Sequence, residues 1–228
     1  MPKTFVIGDI HGAYRALMQC LEKSSFDYEN DRLISLGDVC DGWPETKQCV
    51  DELLKVKNLT YILGNHDHWA LEWMRYGIVE RIWYIQGGEA TINSYNKQAD
   101  PIHRDFFERA LPYYVHENKL FVHAGFDPQT PIEVQTLETF LWDRDLARIA
   151  IDFYQKKLPG KLTPYDDVYI GHTPVALPQP VYAGGVWLMD TGAGWLGVLS
   201  MMNVETKEVF TSDPVPELYP GVKGRTKT

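Results

Sequence analysis

Three short clusters of polar side chains carry the chemistry of this chain. They are Asp9 with His11, Asp38 with Asp41, and Asn65 with His66 and Asp67. Carboxylate oxygen and imidazole nitrogen together suit Mn, Fe or Zn better than Ca or Mg. Asp9 and His11 are two residues apart, so on an extended backbone they face the same way. Asp38 is placed to be a carboxylate shared by two ions, and His66 is a proton donor suited to neutral pH. His123 and His172 add two further imidazoles, each right after an apolar run and near a glycine. Each cluster taken singly has an ordinary explanation. Gly-Asp is good turn chemistry, Asn65 or Asp67 could cap a helix starting near His68, and a lone histidine is commonly structural. Their conjunction is hard to explain as independent turns, and it points to a hydrolytic metal centre.

The elements that would position these residues are short apolar runs. Residues 4–7, 33–36 and 59–63 each lead into a glycine followed by one cluster, and 120–122, 168–170 and 186–189 lead into His123, Gly171-His172 and Asp190. Such runs read as buried strands. Tyr14, Leu17, Met18 and Leu21, then Cys49, Val50, Leu53 and Leu54, fall at helical spacing between the first three. The result is a βαβαβ unit with parallel strands. In an open α/β sheet the carboxyl ends of neighbouring strands line one crevice, where ligands bind. Residues 68–115 read as a helical, aromatic-rich insertion over that crevice, residues 197–202 and 208–211 as a hairpin, and the Pro/Gly-rich stretch 214–228 as a loosely held tail. The main domain is then 1–213.

Composition narrows the function classes. A net charge of −9 argues against broad nucleic-acid binding, which needs a basic surface. It leaves a phosphorylated substrate open, because a bound cation can invert the local field. No apolar run approaches the ~20 residues of a membrane span. The start runs straight into a strand without a signal-peptide core, so a cytoplasmic location is expected. Three cysteines without C-x-x-C spacing make a disulfide framework or zinc knuckle unexpected.

Gly8-Asp9-x-His11-Gly12, Gly37-Asp38-x-x-Asp41 and Gly64-Asn65-His66-Asp67 resemble the motifs of the calcineurin-like metallophosphoesterases. His123-Ala124-Gly125 and Gly171-His172-Thr173 resemble the phosphoprotein phosphatase branch, with its bacterial and phage members and the diadenosine tetraphosphatases. Gln86-Gly87-Gly88-x-x-Thr91 is similar to the bacterial members' Asn-Gly-Gly-x-x-Thr, with Gln for Asn. The resemblance implies a four-layer α/β/β/α sandwich holding two divalent ions per chain, with Mn the first expectation and Fe, Zn or Co the alternatives. It implies Asp9 and His11 on one ion, Asn65, His123 and His172 on the other, and Asp38 on both. A metal-bridging hydroxide would be the nucleophile, and His66, as imidazolium oriented by Asp41, would be the general acid. Arg144, in Trp142-Asp143-Arg144, would bind substrate phosphate, with Asn65 beside it.

One departure stands out. The family's second motif continues Asp-Arg-Gly, its arginine gripping phosphate, whereas this chain reads Asp41-Gly42-Trp43. A Gly42→Arg change is expected to restore that grip unless glycine is needed there for positive φ. The function implied is a metal-dependent phosphomonoesterase, first of all a protein Ser/Thr (or Tyr) phosphatase acting on phosphorylated protein or a small phosphoester. The alternatives are a dinucleoside polyphosphate hydrolase, with Trp43, Trp69, Trp73, Trp83 or Tyr84 stacking a base, and a catalytically weak phospho-recognition protein.

Overall fold

Strands that alternate large apolar side chains between two faces must be covered on both, and this chain covers them with a second sheet and with helices. The computed structural model describes residues 2–225. β1 (Thr4–Ile7), β2 (Arg32–Ser35) and β3 (Asn58–Tyr61) run parallel, joined by α1 (Tyr14–Lys23) and α2 (Thr46–Leu53). The helical segment follows as α3 (Asn65–Tyr76), α4 (Arg81–Trp83), a wider helical turn at Tyr84–Gly88, α5 (Glu89–Ser94) and α6 (Pro101–Glu108). Next come β4 (Tyr113–His116), β5 (Lys119–Val122), α7 (Leu137–Trp142), α8 (Asp145–Lys156) and β6 (Asp167–Ile170). The chain continues through β7 (Val181–Ala183), β8 (Val186–Leu188), β9 (Ser200–Asn203), β10 (Val209–Thr211) and α9 (Val215–Leu218).

The strands form two sheets, β10-β9-β1-β2-β3 and β4-β5-β6-β8-β7. Val6, Ile34 and Met202 of the first sheet meet Phe121 and Tyr169 of the second in a shared core, where the last two rings stack 4.8 Å apart. The alternate residues Phe5, Ile7 and Leu33 face α1 and α2, where Leu17, Leu21, Val50 and Leu53 are buried. Leu120, Val122, Val168 and Ile170 likewise face Leu146, Ala147 and Ala150 of α8. The architecture is therefore α/β/β/α, the expected sandwich. Among the described residues, no helix is long and apolar enough to cross a membrane.

Three expectations need revision. The helical segment starts at Asn65, inside the third motif, and its last expected residues belong to β4, which pairs antiparallel with β5. Glu117 and Asn118, at φ 47° and 57°, make the two-residue turn between them. A second such turn, Gly184-Gly185, joins the unforeseen β7 to β8. The expected loose tail is folded through residue 225. Tyr219 stacks on Trp43 at 5.1 Å, Arg15 donates to the Leu218 carbonyl, and the Arg225 N–H donates to the Gly194 carbonyl. The last three residues of that expected tail lie outside the described residues.

Candidate metal centre

The two sheets bring their carboxyl-end loops to one place. Asp9 and His11 follow β1, Asp38 and Asp41 follow β2, and Asn65 and His66 open α3 after β3. His123 follows β5 and His172 follows β6. All eight side chains are buried. Their ligand atoms fall into two groups, Asp9–His11–Asp38 and Asp38–His123–His172, each within 4.8 Å, and Asp38 belongs to both. The backbone is forced to reach this arrangement. His11, Asp38, Asp41 and His172 have φ of 51°, 52°, 74° and 61°, values that non-glycine residues seldom adopt. Such strain is concentrated where surrounding structure over-determines a functional geometry.

Asp67 holds the second loop in shape. Its carboxylate accepts from the N–H groups of Asp38 at 2.7 Å, Val39 at 3.0 Å and Gly64 at 3.0 Å, and from the Tyr61 hydroxyl at 2.7 Å. It sits in the first turn of α3, so one side chain both caps that helix and shapes the Asp38 loop. Asn65 caps nothing, and its side chain turns toward His123. Asp38 in turn accepts from the His66 N–H at 2.9 Å.

The imidazoles are oriented for ligation. His11 Nδ1 donates to the Cys40 carbonyl at 2.9 Å and His123 Nδ1 donates to the Leu36 carbonyl at 2.8 Å, which leaves each Nε2 lone pair facing the centre. Among the described residues, His172 Nε2 is buried without any hydrogen-bond partner. The His123 Nε2 lone pair faces the amide oxygen of Asn65 at 3.0 Å, two acceptors that a shared cation would reconcile. Electrostatics agree with this geometry. Burial, with Asp190 and Asp38 nearby, holds the Asp9 carboxyl well above its usual range. Burial pushes Asp38 up to about 8, against the opposing pull of Arg225 and the His66 N–H. Burial lowers His123 to about 4 and, with neighbouring positive charge, holds His11 and His172 well below the ordinary value. Neutral imidazoles and crowded carboxyls are the state that divalent cations would displace protons from. The donor set fits a pair of such ions.

His66 lies beside this centre. Its Nδ1 is 2.6 Å from Asp41 Oδ2, and Asp41 also accepts from Trp83 Nε1 and Thr91 Oγ1, each at 2.7 Å. Burial and then Arg225 keep the His66 imidazole well below its ordinary pKa, while burial pushes Asp41 up to about 7. Both directions come first of all from the burial of the pair. Arg144 stands at the His172 end, its guanidinium donating to the His172 carbonyl at 3.4 Å and to Thr173 Oγ1 at 3.3 Å.

Some roles escaped the sequence reading. Asp190 follows β8 at the expected strand end and lies close enough to Asp9 to raise its carboxyl, but it was given no part in the site. Trp83 and Thr91 come from the helical segment and grip Asp41, a contact that neither the Gln86-Gly87-Gly88-x-x-Thr91 motif nor the aromatic content of the segment specified. Of the aromatics considered as base stackers, Trp43 is 1% exposed, donates to the Ala193 carbonyl and lies under Tyr219, so it is closed to ligands. Trp73 and Trp83 are also buried. Trp69 is half-buried and packs on Trp142 at 5.0 Å, beside His66 and His172.

Known proteins resemble this chain in sequence and in fold. The chain is 28% identical over 210 residues to serine/threonine-protein phosphatase 1 of Salmonella typhimurium, covering 88% of this chain and 91% of that protein. It is 31% identical over 137 residues to a symmetrical bis(5'-nucleosyl)-tetraphosphatase of Coxiella burnetii, covering 59% of this chain and 45% of that protein. Among solved structures, a protein serine/threonine phosphatase from Saccharomyces cerevisiae superposes with a TM-score of 0.63 at 14% identity, covering 98% of this chain and 82% of that one. A cold-active protein-tyrosine phosphatase of a psychrophilic Shewanella gives a TM-score of 0.61 at 13% identity, covering 93% and 81%. The family model for calcineurin-like phosphoesterases matches residues 2–193, which takes in every strand-end cluster from Asp9 to Asp190. The chain belongs to that family, and it is a metallophosphoesterase hydrolase.

Proposed function

We propose that the protein is a metal-dependent phosphomonoesterase acting on phosphoserine or phosphothreonine (or phosphotyrosine) in proteins. The observation that carries this is the His66–Asp41 contact of 2.6 Å beside the two ligand groups that share Asp38. A site that only recognised phosphate would have no use for an oriented proton carrier. Asp9 and His11 would hold one divalent ion, Asn65, His123 and His172 the other, and Asp38 both, with manganese the first choice. Bound there, the ions supply positive charge against phosphoryl oxygens and a nucleophile at neutral pH.

The chain's own residues do the rest. Asp41 holds His66 through Nδ1, so His66 Nε2 is the atom that delivers a proton to the departing oxygen. Such positioned acid catalysis contributes ~10²–10⁴-fold. Trp83 and Thr91 fix the Asp41 carboxylate. Arg144 offers a fork of N–H donors to non-bridging phosphoryl oxygens. The near full-length similarity to a protein phosphatase supports a protein substrate.

The half-buried Trp69–Trp142 pair supports a second reading, hydrolysis of a dinucleoside polyphosphate whose base stacks on those rings. An assay with manganese on an aryl phosphate, a phosphopeptide and a dinucleoside tetraphosphate separates them. Turnover of the first two with little of the third is the expected result. Preference for the dinucleotide would overturn the protein-phosphatase reading, and no turnover of any would overturn both.

A further inference from the structure

We propose that Arg225 is a substrate-phosphate-binding residue, delivered to the site by the C-terminal segment as the partner of Arg144; this rests on the phosphoesterase reading above. The guanidinium is held in place from several sides. Nε donates to the Gln86 carbonyl at 3.2 Å, one terminal nitrogen donates to Gln86 Oε1 at 3.3 Å, and the group lies 4.7 Å over the Trp195 ring. The other terminal nitrogen is 3.1 Å from His11 Nε2, the atom that faces the Asp9–His11–Asp38 group. Arg225 thus guards one end of the centre, as Arg144 guards the His172 end. Two guanidinium groups flanking buried carboxylates and imidazoles suit an anion with several oxygens.

The local sequence is shaped around this side chain. A Cβ on Gly42 would stand 2.9 Å from Arg225 Cγ, and one on Gly87 would stand 3.3 Å from it. Gly42 and Gly87 have φ of 106° and 117°, which side-chain-bearing residues rarely adopt. Gly224 packs directly on Trp43, where a Cβ would come within 2.7 Å of the ring. Gly42, Trp43 and Gln86 are the positions where the sequence departs from its family's motifs, and all three line the path of residues 224–225. The departures make room for an arginine arriving from elsewhere and anchor it.

Arg225→Ala, Arg225→Lys and Gln86→Ala test this against wild type. Inorganic phosphate binding to the manganese-loaded protein is measured by calorimetry, alongside KM and kcat for an aryl phosphate and bound manganese. Loss of a charge-assisted hydrogen bond predicts that Arg225→Ala weakens phosphate binding and raises KM by about 10- to 100-fold, with kcat changed less. Lysine should recover part of the loss, Gln86→Ala should give a milder version, and manganese content should stay constant. Unchanged phosphate affinity in Arg225→Ala would overturn the proposal. So would tighter manganese binding with faster turnover, which would make Arg225 a plug on His11. If wild type binds phosphate through Arg225 but hydrolyses no phosphoester, the enzymatic reading fails and the anion site stands.

Discussion

Asp41→Asn should separate orientation from charge in the proton-delivering pair. Asp41 has φ 74°, a conformation that asparagine tolerates better than other residues with a side chain. The replaced amide can keep its oxygen at the Oδ2 position, accepting from His66 Nδ1 and Trp83 Nε1. Its NH2 would then face Thr91 Oγ1, now 2.7 Å from Oδ1, and the Thr91 hydroxyl can turn its hydrogen to Thr46 Oγ1 at 3.2 Å. The network therefore survives with its charge removed. A charge-assisted hydrogen bond contributes ~1.5–3 kcal/mol and a neutral one ~0.5–1.5, so the loss should be about 1–2 kcal/mol, or roughly 5- to 30-fold in rate. It should appear on alkyl phosphates, whose leaving oxygen needs a proton, and hardly at all on activated aryl phosphates. Asp41→Ala is different, because two buried N–H groups lose their acceptor at about 1–3 kcal/mol each, and the protein should melt markedly earlier. Steady-state kinetics on a series of leaving groups, with bound manganese measured on the same samples, provides the test. Equal losses on alkyl and aryl substrates for Asp41→Asn would refute the assignment of His66 as the acid.

Asp38→Asn should be the most damaging ligand change, since Asp38 alone belongs to both ligand groups; bound metal by elemental analysis should fall toward one ion or none per chain while the fold persists. Chelated protein should lose stability between about pH 7 and 8, where the imidazoles are neutral whether folded or not but folded Asp38, raised to about 8, still holds a proton that the unfolded chain has released. Chemical denaturation at several pH values checks this, and a stability that rises across that window would contradict it. Manganese addition at pH 7 should release protons, read as a buffer-dependent heat in calorimetry. Gly42→Arg should not lower KM as the motif comparison suggested. With φ 106° and Arg225 Cγ 2.9 Å from the added Cβ, it should cost roughly 1–3 kcal/mol and lower the melting point by several degrees.

The strand-end clusters were legible because each follows a run of apolar residues with a glycine close by, a pattern fixed within a dozen residues. Asp9, His11, Asp38, Asn65, His123 and His172 converge because parallel strands share a carboxyl end, and that much follows from local pattern plus topology. β4 and β7 were not legible, since edge strands of three or four residues with exposed positions carry little periodic signal. Arg225 was out of reach for a different reason. Nothing near Gly224 in sequence announces a site, and only Trp43, Gly42 and Gln86, distant in the chain, explain why it goes there. Trp83 and Thr91 were visible as residues, but their grip on Asp41 was not, because it is made across the fold.

The placement of β9 has a kinetic consequence. Val6 of β1 pairs with Met202 of β9, so the central strand of the first sheet is completed by residues from near the other end of the chain. During synthesis or refolding, β1 must wait as an open, apolar edge while the whole second sheet is made. Non-local pairing of this kind slows folding, and an unpaired apolar edge invites association with other chains. Refolding is therefore expected to be slow and concentration-sensitive, with yield improving on dilution. A peptide spanning β9 and β10, added in excess, should compete for the β1 edge and divert the chain from its native state.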